Sequence, residues 1–179
     1  MSFTHLLDKA FALLSPFLFG AALVTWIVGI VAEIKLRRAT DMPKTFSARR
    51  IPFITLIVFI GIIALMFLVS SIIKREAQKE VMQLLTAEIK SVQVNGTAIL
   101  YFQDFITELR NMDDSLSRYH HTHPTRVFKV VLETTKGTLN LNLARDSGNP
   151  NEYWVFYPGY QSTTSNDIGK ILTLTFAKD

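Results

Sequence analysis

The sequence predicts a membrane protein in which a two-helix transmembrane hairpin is followed by a small α+β domain, an antiparallel sheet with a packed helix. Three observations predict it. Residues 10–32 and 51–73 form two runs of 23 residues without a charged side chain. From Lys74 onward the composition becomes that of a soluble domain. Within that domain, apolar and polar residues alternate at strand spacing around two turn signals.

Residues 1–9 are a short tail. At a rise of about 1.5 Å per residue, each 23-residue run makes a helix of roughly 34 Å, enough to cross a hydrocarbon layer of ~30 Å with some tilt. A cleaved signal peptide is the competing reading of the first run. Its apolar stretch exceeds the usual core of such a peptide, Asp8 and Lys9 cancel in front of it, and no small-x-small cleavage site follows. In the first helix Ala21, Thr25 and Gly29 recur at spacing four, a small-residue seam that lets another helix approach and offers a route to homo-oligomers. Gly61 and Ala64 share a face of the second. Neither run holds an ionisable residue, which argues against a pump or proton-coupled transporter, since such residues mark ion and proton pathways.

Charge sets the expected orientation. Residues 1–73 hold seven Lys and Arg against three Asp and Glu, whereas residues 74–179 hold twelve of each. The net charge of +4 therefore sits around the helices, and the domain has no basic footprint for nucleic acid. Six of the seven basic residues lie in the loop 33–50 (Lys35, Arg37, Arg38, Lys44, Arg49 and Arg50). Short basic loops stay cytoplasmic, which predicts a multi-pass protein of the plasma (inner) membrane with both termini and the C-terminal domain outside the cytoplasm. Lys74, Arg75 and Lys79 pull weakly the other way. The absence of cysteine removes disulfides, thiolate chemistry and Cys-ligated zinc.

Residues 74–90 are predicted as a juxtamembrane helix, with Ala77, Val81, Leu84 and Leu85 near one face. It either continues the second span or bends near Ser70 and Ser71. The α+β domain proper is residues 91–179. Ser91 to Asn95 alternates as a strand and ends at Asn95-Gly96, a strong hairpin signal that also matches a glycosylation sequon with Thr97. Ile99, Phe102, Phe105, Ile106 and Leu109 follow a helical stripe ending near Met112, and residues 113–125 look like a polar loop. Phe128, Val130 and Leu132 then alternate with polar residues, turn at Lys136-Gly137, and answer with Leu139, Leu141 and Leu143, an antiparallel hairpin. A further strand is expected at 152–157. In the tail, Leu172, Leu174 and Phe176 alternate as another strand would.

Three groups of residues are candidates for function. Tyr153, Trp154, Phe156, Tyr157 and Tyr160 make the densest aromatic stretch; one set of alternate side chains must face the core, leaving the other free for a protein partner. His120, His121 and His123 could hold zinc or copper, although His-His-x-His converges poorly on one ion and no fourth ligand is evident. The seam Ala21, Thr25 and Gly29 is the candidate for helix packing. Asp146-Ser-Gly-Asn-Pro-Asn resembles a calcium loop only superficially, because Gly148 and Pro150 stand where ligands are needed; it is read as a turn. No catalytic motif is present.

The leading expectation is a non-enzymatic, membrane-tethered binding module without cofactor, such as an accessory subunit of an envelope complex or an immunity-type inhibitor, with a protein as partner. A second expectation is an oligomeric two-helix channel subunit, with Ser15, Thr25, Thr55, Ser70 and Ser71 lining the pore. A third is a metal sensor or metal-dependent enzyme built on the histidine loop.

Overall fold

The computed structural model describes residues 3–39, 50–113, 123–164 and 167–176. Two long helices come first, α1 (Phe3–Ala39) and α2 (Arg50–Leu85). They are followed by β1 (Ile89–Val94), β2 (Thr97–Ala98), α3 (Gln103–Arg110), β3 (Pro124–Thr134), β4 (Gly137–Asp146), β5 (Glu152–Phe156) and β6 (Gly169–Leu172). The chain divides into two compact units. One is Lys9–Ile72; the other combines Met1–Asp8 with Ile73–Asp179.

In the unit Lys9–Ile72, both helices are long and apolar enough to cross a membrane. A soluble core helix buries its apolar side chains, but these point outward: Phe17 and Phe67 are each 71% exposed. The helices meet along Ala22, Trp26 and Gly29, positions i, i+4 and i+7 of one face. Trp26 stacks on Phe59 at 5.6 Å, and a Cβ on Gly29 would fall within 2.5 Å of the Thr55 hydroxyl oxygen. Of the expected seam, Gly29 lies at this contact, whereas Ala21 and Thr25 lie one position round the helix and are exposed. The Thr25 hydroxyl donates to the Ala21 carbonyl of its own helix at 2.8 Å, which satisfies it without a second helix.

α2 contains no Gly or Pro near Ser70 and Ser71, and it runs without a break to Leu85. It ends five residues before the predicted limit, because Ile89 and Lys90 already belong to β1. Ile73, Ala77, Val81 and Leu85, at helical spacing four, are fully buried. The last turn is closed by Arg110, whose guanidinium donates twice to the Leu85 carbonyl at 3.0 and 2.7 Å. A cation on unpaired terminal carbonyls is the favourable arrangement at a helix C-terminus.

The sheet is six-stranded and antiparallel, in the order β2-β1-β3-β4-β5-β6. β1 and β2 form a hairpin through Asn95 (φ 51°) and Gly96 (φ 83°), the double positive φ that a two-residue turn of this hand requires. The register puts Val92, Leu132 and Leu139 side by side, then Phe128, Leu143 and Val155, then Tyr153 and Ile171. These are all buried and define the core face. α3 adds Phe105, Ile106 and Leu109, its three buried side chains. The aromatic centre of the core is Phe105, Phe128, Tyr153 and Phe176, packed ring to ring at 5.1–5.9 Å.

Two elements differ from expectation. α3 is only eight residues, because residues 99–102 of the expected stripe form irregular backbone between β2 and the helix. The tail strand is Gly169–Leu172, earlier than the Leu172–Phe176 alternation suggests. Leu172 and Leu174 are 48% and 69% exposed, while Phe176 turns into the aromatic centre. Apolar alternation there marks a surface, not a ladder.

Candidate functional site

The opposite sheet face carries Lys129, Glu133, Thr138 and Asn140, all exposed, as expected when one side of an antiparallel sheet meets water. Toward β5 and β6 its character changes. Cross-strand pairing sets Trp154 against Lys170 and Glu152 against Leu172, on this same face. Lys170 and Glu152 are 7% and 6% exposed, and their charged atoms lie 3.2 Å apart, close enough for charge pairing though not aligned as a hydrogen bond. The Lys170 ammonium also sits 4.2 Å from the centre of the Trp154 ring, within cation–π range.

Trp154 is held from its other end by Asp146. The indole N–H donates to Asp146 Oδ2 at 2.9 Å, and Asp146 Oδ1 accepts from the backbone N–H groups of Gly148 and Asn149. The Asp146–Asn151 stretch is therefore a carboxylate-closed turn, in agreement with its composition. The result is a partly exposed indole with a fixed orientation. Beside it, Leu172 and Leu174 are exposed, and they border a shallow groove of about 250 Å³ that Glu108, Asn149, Asn151 and Thr173 complete. One carboxylate oxygen of Glu108 is shut off from solvent and has no hydrogen-bond partner among the described residues.

The structure separates the five aromatic candidates. Tyr153 belongs to the core face, and Phe156, Tyr157 and Tyr160 are 9%, 8% and 3% exposed. Only Trp154 is partly accessible, so the aromatic stretch is mainly a packing element with one half-buried member. Tyr157 donates to Glu80 Oε1 at 2.8 Å. Burial, and then that carboxylate, push the Tyr157 hydroxyl well above the ordinary phenol range, so it stays protonated. Tyr160 stacks on His5 at 4.3 Å with the rings 8° apart, and His5 Nε2 stands 3.8 Å from Glu80 Oε2.

That stack belongs to a clasp that sequence reasoning missed. Asp8 is 2% exposed, and its carboxylate accepts from the backbone N–H of Gln161 (2.6 Å), the backbone N–H of Ser162 (3.0 Å) and the Ser162 hydroxyl. Two successive backbone donors around a carboxylate form an anion-holding nest. Nothing local to Asp8 signals this, because its partners lie 153 and 154 positions away. The surface of Leu172, Leu174 and Glu108 was also missed. The leucine alternation carries a signal, but it points equally well to a core-facing strand.

His120 and His121 lie outside the described residues. His123 is exposed, and its backbone pairs with Ser147 through both N–H and carbonyl. Among the described residues, no three His, Asp or Glu side chains gather to hold a metal ion. Compared with models of protein families, with curated proteins and with solved structures, the chain has no match.

Proposed function

We propose that this chain is a two-pass membrane protein whose C-terminal domain is a non-enzymatic module for binding a protein. The binding surface is the β5–β6 edge, formed by Trp154, Leu172 and Leu174 with the Glu108 groove beside them. The observation that carries this reading is the exposure of Leu172 and Leu174 next to an indole already fixed by Asp146 and Lys170. Rigid aromatic anchors with adjoining apolar area give binding energy at low entropic cost. Leu100 and Tyr101, 85% and 93% exposed, are a second apolar spot, but no comparable polar framework is seen around them among the described residues.

The test is site-specific photo-crosslinking in intact cells. A photoreactive residue at Leu174 is expected to give one discrete adduct, and the same residue at Thr138 none. With the photoreactive residue kept at Leu174, the Leu172→Gln variant should lower that adduct at least tenfold while its thermal unfolding changes little, since Leu172 is 48% exposed and glutamine sets no charge opposite Glu152. Equal adducts at Thr138 and Leu174 would sink the reading.

Membrane embedding is supported by the outward-facing apolar side chains of α1 and α2, which need lipid around them. Packing of residues 5–8 against the domain supports a hairpin whose two ends share one side. The six basic residues of the connecting loop favour placing that side outside the cytoplasm. A single cysteine at Lys136, in the exposed β3–β4 turn, is clean to read because the chain has none of its own. An impermeant maleimide should label it in intact cells. Protection until lysis would place the domain in the cytoplasm.

A further inference from the structure

We infer that the groove beside Leu172 and Leu174 receives an arginine or lysine side chain of the protein partner, with Glu108 as its counter-charge. This rests on the binding role proposed above and names the chemistry of the anchor.

Three features select that occupant. First, Glu108 carries a charge that no other described residue neutralises, and one of its oxygens is desolvated without a hydrogen bond. Among the described residues, Glu108 is the one charged residue lining the groove, and an entering ammonium or guanidinium would give its carboxylate a charge-assisted hydrogen bond. Second, the rim is apolar where the floor is polar. Leu172 and Leu174 offer a surface for a methylene stem, while Glu108, Asn149, Asn151 and Thr173 make up the polar part of the lining. That division of apolar stem and polar head is how long basic side chains bind. Third, the groove is small. At about 250 Å³ it falls below the roughly 300–1,000 Å³ of small-molecule sites, and suits one side chain better than a whole ligand.

The experiment uses the full chain in detergent micelles with Nα-acetyl-arginine amide as probe and Nα-acetyl-norleucine amide as neutral control. Side-chain amide NMR signals of Asn149 and Asn151 should shift saturably with the arginine probe and not with norleucine. Glu108→Gln should weaken binding at least fivefold. Asn151→Asp, which adds a second carboxylate to the groove, should tighten it at least threefold, a gain that a merely structural role for Glu108 does not predict. In cells, Glu108→Gln should reduce the Leu174 adduct to a similar degree.

The outcomes separate the two readings. A Leu174 adduct lost in Leu172→Gln but untouched by Glu108→Gln would overturn the basic anchor and leave the binding role standing. Probe binding that depends on Glu108, without any adduct at Leu174, would assign the groove to a free organic cation and overturn the protein source. An adduct of twice the 20.3 kDa chain mass would make the occupant a second copy, and overturn a separate partner.

Discussion

Asp8→Ala is expected to release the first turns of α1 from the domain. The carboxylate holds two backbone N–H groups and one hydroxyl at 2% exposure, so its removal leaves three donors facing an apolar methyl group. Hydrogen bonds to a charged group are worth about 1.5–3 kcal/mol each and do not simply add; the expected total loss is about 3 kcal/mol. Amide hydrogen exchange at Gln161 and Ser162 would then accelerate on the order of a hundredfold. His5, stacked on Tyr160 about one helical turn away, should come free with it, and its ring resonances should lose their aromatic shift. Asp8→Asn keeps the shape and one acceptor oxygen, so it should fall between wild type and alanine. Unchanged protection in Asp8→Ala would mean that the clasp is not formed in solution.

The second large effect concerns the buried pair behind Trp154. Lys170→Met removes the cation from both the Glu152 carboxylate and the indole face, and leaves Glu152 at 6% exposure without its counter-charge. Breaking a buried pair from one side costs about 3–5 kcal/mol, most of it the penalty for the stranded charge. The sign of the double variant follows. Lys170→Met/Glu152→Leu removes both charges and should recover most of the loss, because the pair's attraction is largely offset by its own desolvation. Urea unfolding of the three variants in one detergent reads this directly. Additive losses in the double variant would mean that the two side chains act independently despite their 3.2 Å separation. The binding reading adds a consequence. Since Lys170 also orients Trp154, Lys170→Met should weaken partner cross-linking even below its unfolding midpoint.

Neither site is legible in the sequence to the degree that the elements around it are. The helices can be read because hydrophobic length is a one-dimensional property, and 23 uncharged residues need no knowledge of neighbours. The β3–β4 hairpin and the Asn95-Gly96 turn can be read for a similar reason, since alternation and turn chemistry act over a few residues. Asp8 and Ser162 are a different case. A single acidic residue before an apolar run looks like a solvated flank, and only the folded chain brings the loop 160–162 against it.

The aromatic stretch marks the boundary between the two kinds of knowledge. Its alternation shows that Tyr153 and Trp154 face opposite ways, and the sheet keeps that assignment. Which side is open depends on where α2, α3 and Phe176 pack, and those contacts join residues far apart in the chain. The tail shows the same limit. Leu172, Leu174 and Phe176 share a period of two, yet the ladder stops at Leu172, so the first two meet water and the third enters the core.

The sequence by itself determined the apolar character of the two helices, though not their full extent of 37 and 36 residues, together with the β3–β4 hairpin and the even charge of the domain, because each follows from composition or from spacing within one element. Only the tertiary structure decided which small residues of α1 meet α2, which aromatic ring remains accessible, and that Asp8 and Lys170 are buried beside their partners. Burial and pairing of a side chain are set by what another part of the chain places beside it, and no local pattern encodes that.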